Sequence, residues 1–137
     1  MKLVALGDSV IKGVILDSVE GRGRYSLADK SIVDRCAECL GVEGVNLGKM
    51  GCTIEAGERI LDRFTDRVAG ARYVLLECGG NDSDYDWKAI AEAPSDRHLA
   101  RTPIEVFESV YERVVDKVKE LGAIPLVLSL PPMDAQR

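Results

Sequence analysis

Apolar runs alternate with amphipathic segments along the chain. Four runs read as strands, over 2–6, 44–47, 72–78 and 124–130. The last two are nearly continuous, which is typical of strands covered on both faces. Because helical patterns separate the runs, the sequence predicts a single α/β domain over residues 1–137. Its parallel, flavodoxin-like sheet would lie between two layers of helices, in a three-layer α/β/α arrangement.

Three helices are predicted between the strands, over 27–40, 54–68 and 103–121. A glycine follows each of them, which is a common C-terminal stop. Thr53 and Thr102 are the predicted N-caps, and Glu105 would complete a capping box with Thr102. The inward-facing positions are expected to be Leu27, Val33, Cys36 and Leu40 in the first helix, Ile54, Ile60, Leu61, Phe64 and Val68 in the second, and Ile104, Phe107, Tyr111, Val114, Val118 and Leu121 in the third.

Two longer segments lack a clear period. Residues 10–25 are rich in glycine, and we expect a loop there that contains a short hairpin. Residues 83–102 are rich in charge, and we expect a loop with one helical turn. Loops of this length in a small domain often serve function.

Small polar residues follow three of the predicted strands. The sequences are GDS at 7–9, NLGKMGCT at 46–53 and GGND at 79–82. Because the carboxyl ends of parallel strands meet at one edge of a sheet, these segments should lie together. A serine there could simply cap a turn. Together, however, the segments supply a hydroxyl, backbone amides and a side-chain amide, which are the parts of an acyl-transfer site.

In these three blocks the chain resembles the SGNH hydrolases, the GDSL family of esterases and lipases, over essentially its whole length. The resemblance implies that Ser9 is the nucleophile. It also implies an oxyanion hole made by the backbone N–H groups of Ser9 and Gly51 and the side-chain amide of Asn81. The expected substrate is a small-molecule or carbohydrate-linked ester, and no cofactor is expected.

The fourth block of that family, D-x-x-H, is absent. His98 is the only histidine, and it falls in the charged loop, so we do not expect it to be the catalytic base. Asp134 is followed three positions later by Arg137 and comes too early for that block. The simplest expectation is that the closing strand and helix lie beyond residue 137; a natural fragment or degenerate paralogue, or a partner chain that donates the missing piece, are the alternatives. This fragment is expected to be nearly inactive without an Asp–His pair.

Composition narrows the possible partners. The net charge is −5, which argues against nucleic acid as the main partner. No apolar run reaches the length of a membrane span, and no signal peptide is seen, so a cytoplasmic protein is expected. The four cysteines are expected to be reduced and mostly buried.

The residues after Asn81 suggest a substrate-binding rim. Asp82 and the single tryptophan, Trp87, could contact a sugar ring or line an acyl pocket. No metal site is expected, because Trp87 and Ala93 stand where a calcium-binding EF-hand loop needs Gly and Glu. The alternative to an esterase is a non-catalytic flavodoxin-like binding module or a pseudo-enzyme. The sequence makes no prediction of oligomeric state.

Overall fold

The described part of the chain forms a parallel sheet of four strands. The computed structural model describes residues 1–19 and 21–130, so Asp134 lies outside the described residues. The sheet contains β1 (Lys2–Gly7), β4 (Glu43–Asn46), β5 (Tyr73–Glu77) and β6 (Ile124–Val127), in the order β4-β1-β5-β6. All three neighbouring pairs are parallel. This order is typical of flavodoxin-like sheets, and the chain changes direction across the sheet beside β1.

Helices cover both faces of this sheet. The remaining elements of the described residues are α1 (Ser9–Lys12), β2 (Val14–Val19), β3 (Arg22–Leu27), α2 (Ile32–Leu40), α3 (Ile54–Arg63), α4 (Thr65–Val68), α5 (Trp87–Glu92) and α6 (Ile104–Glu120). The larger core includes Val4, Leu6 and Val74 of the sheet together with buried residues of α3 and α6. A smaller cluster joins Ala5, Ile11 and Val33 on the other face. The α/β/α prediction is therefore confirmed.

The first predicted helix is shorter than expected. Ser31 caps α2 and forms a capping box with Asp34. Leu27 instead belongs to β3, and Leu27 and Leu40 are exposed. Cys36 is exposed as well, because the inward face of α2 consists of Val33 and Ala37. The sequence pattern failed here because Leu27 belongs to a hairpin strand.

The predicted start of the third helix is also wrong. Pro103, not Thr102, is the N-cap of α6, and no side chain caps this helix. The hydroxyl of Thr102 donates to Asp82 instead, over 2.7 Å. Ile104 is exposed, whereas Val110, Val114 and Val118 form the buried stripe.

The other expected elements are present with small changes. Thr53 caps α3 as predicted, but the helix ends at Arg63, and α4 follows after Phe64. The hairpin is β2–β3, and the helical turn in the charged loop is α5. β6 ends three residues earlier than the predicted strand, at Val127. Among the described residues, no helix combines the length and apolar character that crossing a membrane requires.

The cysteines match the expectation only in part. Cys52 and Cys78 are buried, and the structure pairs none of the four in a disulfide. Cys36 and Cys39 lie exposed on α2, which contradicts the prediction that most of the thiols are buried. Both residues lie on the solvent-exposed face of α2, where core packing places no requirement for an apolar side chain.

Candidate active site

Ser9 lies directly beyond the end of β1, as the first residue of α1. Asp8 is the N-cap, and its Oδ1 accepts a hydrogen bond from the Val10 N–H over 2.8 Å. The first N–H groups of a helix have no partner inside the helix. The Ser9 N–H therefore has no partner inside α1. This N–H and the Ser9 hydroxyl belong to one half-buried residue at the carboxyl edge of the sheet.

A long-range hydrogen bond connects this segment to the loop after β5. Asn81 Nδ2 donates to Asp8 Oδ2 over 3.0 Å. A side-chain amide has two N–H donors, so one remains after this bond. The bond places the amide of the third block beside the residue that precedes Ser9.

The loop after β4 is attached to the same segment from the other side. The Lys49 N–H donates to the carbonyl of Gly7 over 3.0 Å, and Asn46 Nδ2 donates to the carbonyl of Ile11 over 2.7 Å. Gly48 packs so closely that a Cβ there would lie 2.5 Å from Lys12 N. Only glycine allows this approach.

Gly51 follows in the same loop with a φ of 70°. This left-handed conformation favours glycine, although the space around the residue is open. The residue is exposed. Among the residues that the structure describes, its N–H donates no hydrogen bond. It can therefore donate one to an acceptor atom of a ligand. Glycine is thus required here by backbone conformation, and not by a crowded surrounding as at Gly48.

Asp82 is buried and connects two further segments. Its carboxylate accepts from the Ile54 N–H over 3.0 and 3.1 Å and from the Thr102 hydroxyl over 2.7 Å. Its carbonyl accepts from the Thr102 N–H over 3.0 Å. Only 3% of Asp82 is exposed. The geometry therefore gives Asp82 a positioning role, since it fixes the start of α3 and the approach to α6 relative to Asn81.

The sequence reading missed Glu77, the last residue of β5. It is buried, and its Oε2 accepts a hydrogen bond from the Asp8 N–H over 3.3 Å. Burial, together with the nearby Asp8 carboxylate, raises the pKa of Glu77 to about 7. An acidic residue at the end of the apolar run RYVLLEC was the available signal. Asp8, the residue before Ser9, and Glu77 are thus two neighbouring acidic residues in this site.

Trp87 lies at the exposed rim of the loop after Asn81. Its Nε1 donates to Asp84 Oδ1 over 2.9 Å, and its ring meets Tyr85 edge to face with centroids 6.1 Å apart. Trp87 is 65% exposed. Arg101 pairs with the other oxygen of Asp84 over 3.6 Å. The indole is therefore held by its neighbours while much of its surface faces solvent.

His98 makes a contact within its own loop. Its Nε2 lies 2.8 Å from the carbonyl of Ala93, and no described hydrogen bond connects it to the segments around Ser9. The described residues contain no cluster of three or more side chains suited to a metal ion. Neither finding identifies a base for Ser9.

An apolar cavity of about 400 Å³ begins beside the loop after β5. Its lining includes Gly79, Asp82 and Thr102 and the apolar side chains of Leu99 and Phe107.

Comparisons with known proteins give a consistent result. A family model described as GDSL-like lipase/acylhydrolase matches residues 3–136. Three solved structures share the fold. One is described as lipolytic and of the G-D-S-L family, from Desulfitobacterium hafniense DCB-2, with 22% identity, a TM-score of 0.60 and coverage of 92% of this chain and 57% of that one.

The second structure is the acetyl xylan esterase AlAXEase, with 18% identity, a TM-score of 0.63 and coverage of 93% and 57%. The third is the lipase/acylhydrolase from Enterococcus faecalis, with 20% identity, a TM-score of 0.57 and coverage of 90% and 55%. The chain therefore spans just over half the length of these proteins. No curated protein was found to match it.

Proposed function

Because the chain belongs to the GDSL-like lipase/acylhydrolase family, we propose that it acts on carboxylic esters as a serine hydrolase. Ser9 is the nucleophile, and the oxyanion hole consists of the N–H groups of Ser9 and Gly51 and the Asn81 amide. The observation that carries this proposal is the 3.0 Å hydrogen bond from Asn81 to Asp8. It holds the amide beside Asp8, the residue that precedes Ser9, and leaves the amide one further N–H, which supports its role as a donor to a substrate oxygen.

The reaction has two halves. Ser9 Oγ attacks the ester carbonyl carbon, and the hydroxyl proton passes to a base. The carbonyl oxygen becomes an oxyanion, which accepts hydrogen bonds from the three N–H groups. The C–O bond to the alcohol then breaks, and the alcohol leaves with a proton. Water attacks the acyl-Ser9 ester in the same way, which releases the carboxylic acid and restores the hydroxyl.

The base for Ser9 is not His98 in this proposal, since His98 bonds to Ala93 within its own loop. We infer that an Asp–His pair outside these 137 residues supplies it. In other serine hydrolases, loss of the histidine lowers the rate by on the order of 10⁶, and the remaining site retains roughly 10³–10⁴ over water. This chain alone should therefore be nearly inactive.

External base tests this account directly. We expect slow hydrolysis of p-nitrophenyl acetate by the chain, and a clear increase when imidazole is added. Each rate is corrected for imidazole without protein. The increase should be lost in Ser9→Ala and retained in Ser18→Ala, a matched control on an exposed serine of the β2–β3 hairpin.

Two outcomes would contradict parts of the proposal. Fast hydrolysis without imidazole, abolished by Ser9→Ala, would leave Ser9 as the nucleophile and contradict the need for an outside base. An imidazole effect that is equal in wild type and Ser9→Ala would favour the non-catalytic binding module instead.

We further propose that the substrate is a small-molecule or carbohydrate-linked ester. The exposed indole of Trp87 is suited to packing against a sugar ring, and the apolar cavity beside Gly79 is suited to an acyl group. One structural neighbour acts on acetylated xylan by its description. Leu99 lines both this cavity and the pocket beside Trp87, which supports one substrate in contact with both.

We place the protein in the cytoplasm. The support is the presence of exposed free thiols at Cys36 and Cys39, which remain reduced in that compartment. Thiol titration of protein taken directly from fractionated cells tests this. Reduced thiols in the cytoplasmic fraction are expected, and oxidised protein in a secreted fraction would contradict the placement.

A further inference from the structure

A groove whose charged lining residues are all basic lies beside the loop after β4. It runs between the loop after β4 and the outer surface of α3 and α4, with a volume of about 480 Å³. We call it the cationic groove, and its charged lining residues are Lys12, Lys49, Arg59, Arg63 and Arg67. No carboxylate from the described residues lines it. This contrasts with the net charge of −5 for the whole chain.

The groove is basic because α3 separates its charges by face. Glu58 bonds to Arg113 of α6 at 2.7 and 3.0 Å, and Asp62 pairs with Lys117 of the same helix. These acids are therefore neutralised on the side that faces α6. Arg59 and Arg63 each follow one of these acids by one position, so they lie about 100° further around α3, and Arg67 continues the spacing of four in α4.

Within the described residues, none of the five cations of the groove forms an ion pair within 4 Å. Arg59 and Arg63 lie four positions apart on α3, and like charges at this spacing repel each other. Arg63 and Arg67 both lie 5.5 Å from the centre of the Phe64 ring, one of the side chains lining the groove, which offsets part of this repulsion. A bound anion would relieve the rest.

The groove is structurally continuous with the nucleophile segment. Lys12 ends α1, the helix that Ser9 begins. Lys49 donates its N–H to the carbonyl of Gly7, and Gly48 packs against the backbone of Lys12. An anion held at Lys12 and Lys49 would therefore lie next to the proposed reaction centre, with the arginines extending the site away from it.

We propose that the cationic groove is a binding site for phosphate groups. Arg59 and Arg63 supply planar guanidinium groups, which match phosphate oxygens in pairs, and Lys12 and Lys49 supply point charges at the end nearest Ser9. The phosphate group is carried by the alcohol portion of the ester, or it is free in solution. Phosphate binding in the cationic groove does not depend on the proposed hydrolysis. The assignment of the phosphate to the alcohol portion of the ester rests on it.

Inorganic pyrophosphate, without divalent cations, is the first probe. Titration calorimetry with the chain should show saturable binding that weakens as salt is raised. Arg59→Gln with Arg63→Gln should weaken it by at least about tenfold, since charge-assisted bonds are lost. The matched control removes two exposed arginines of the distant hairpin, Arg22→Gln with Arg24→Gln, and should change the affinity less than about twofold.

A second arm separates the two sources of phosphate. The probes are 1-acetylglycerol 3-phosphate and neutral 1-acetylglycerol, followed by amide NMR on Ser9→Ala so that no turnover occurs. Preferential binding of the phosphorylated ester, with shifts at Gly51 and Asn81 as well as in the groove, assigns the phosphate to the substrate. Pyrophosphate binding without that preference assigns the site to a free anion.

Either source supports the site, and two results would overturn it. One is the absence of pyrophosphate binding at millimolar concentration to a folded chain. The other is an equal loss of affinity in the groove variant and the hairpin variant, which would indicate nonspecific attraction. Pyrophosphate is not an ester substrate and the ester probes are measured on Ser9→Ala, so failure of the proposed hydrolysis would leave the binding readouts unchanged. Circular dichroism of each variant confirms that it is folded.

Discussion

The loops around Ser9 and the rim around Trp87 are built differently. Around Ser9 the bonds join distant parts of the chain: Asn81 to Asp8 spans 73 positions, and Ile54 to Asp82 spans 28. At the rim they are mostly local: Trp87 to Asp84 spans three, and His98 to Ala93 spans five. The first region is fixed by the fold, and the second largely by its own neighbours.

This difference matches what each region has to do. Groups that stabilise a transition state must hold their positions closely, because a small displacement lowers the rate strongly. Groups that contact the outer part of a substrate tolerate adjustment. We therefore expect changes around Ser9 to affect stability and rate, and changes at the rim to affect substrate binding alone.

The largest effect should follow from removing the carboxylate of Asp82. Asp82→Ala leaves the Ile54 N–H and the Thr102 hydroxyl buried without their acceptor. A loss of about 3 kcal/mol in the free energy of unfolding is expected, measured by urea denaturation. Asp84→Ala, at the exposed rim, should change it by less than about 0.5 kcal/mol. Equal losses in both variants would remove the distinction between the regions.

Asn81→Ala should affect the rate more than the stability. It removes the bond to Asp8 and the proposed oxyanion donor together. We expect about 1 kcal/mol of lost stability and a roughly 10²-fold lower imidazole-assisted rate with p-nitrophenyl acetate. An unchanged rate in a stable variant would exclude Asn81 from the oxyanion hole.

Glu77 should make stability depend on pH. Its pKa is raised to about 7 in the folded chain, so the folded state holds a proton that the unfolded state releases near pH 4.5. Stability from this group is therefore present at low pH and falls as the pH rises, by about 2 kcal/mol between pH 5 and 7. Urea denaturation across this range should show the fall in wild type. Glu77→Gln should remove it, whereas Glu43→Gln on the exposed edge of the sheet should retain it.

The smallest effect on stability is expected at Trp87. Trp87→Ala should change the free energy of unfolding by less than about 0.5 kcal/mol, because the side chain is mostly exposed. Trp87 is the only tryptophan, so its fluorescence reports contact with a sugar directly. Quenching by acetylated xylo-oligosaccharides is expected, and its absence at millimolar concentrations would argue against a carbohydrate at this rim.

Much of the fold could be predicted because its signals are local. Apolar runs identified the strands, and glycines such as Gly41 and Gly122 marked the ends of helices. The three polar blocks were found because parallel strands place their carboxyl ends together. Predictions from local sequence failed where a residue had a distant partner. Threonine is a common helix cap, but the Thr102 hydroxyl donates to Asp82, twenty positions away.

The contacts of Glu77 and Asp82 could not be predicted from the sequence for the same reason. A periodicity cannot show that an acidic residue at a strand end will contact a neighbouring loop, as Glu77 contacts Asp8. Asp82 was predicted to contact substrate because it follows Asn81, and that assignment stays a prediction. The structure adds that its carboxylate already serves Ile54 and Thr102. The cationic groove likewise emerged only once Glu58 and Asp62 were seen to pair with α6.

Trapping the acyl-enzyme tests the central claim most directly. The chain is incubated with p-nitrophenyl acetate and imidazole, stopped in acid, digested and mapped by mass spectrometry. The account predicts an acetyl group on Ser9 in wild type and in Ser18→Ala, and none at position 9 in Ser9→Ala. A folded wild-type chain with unmodified Ser9, or with acetylation at Ser18 equal to that at Ser9, would contradict it.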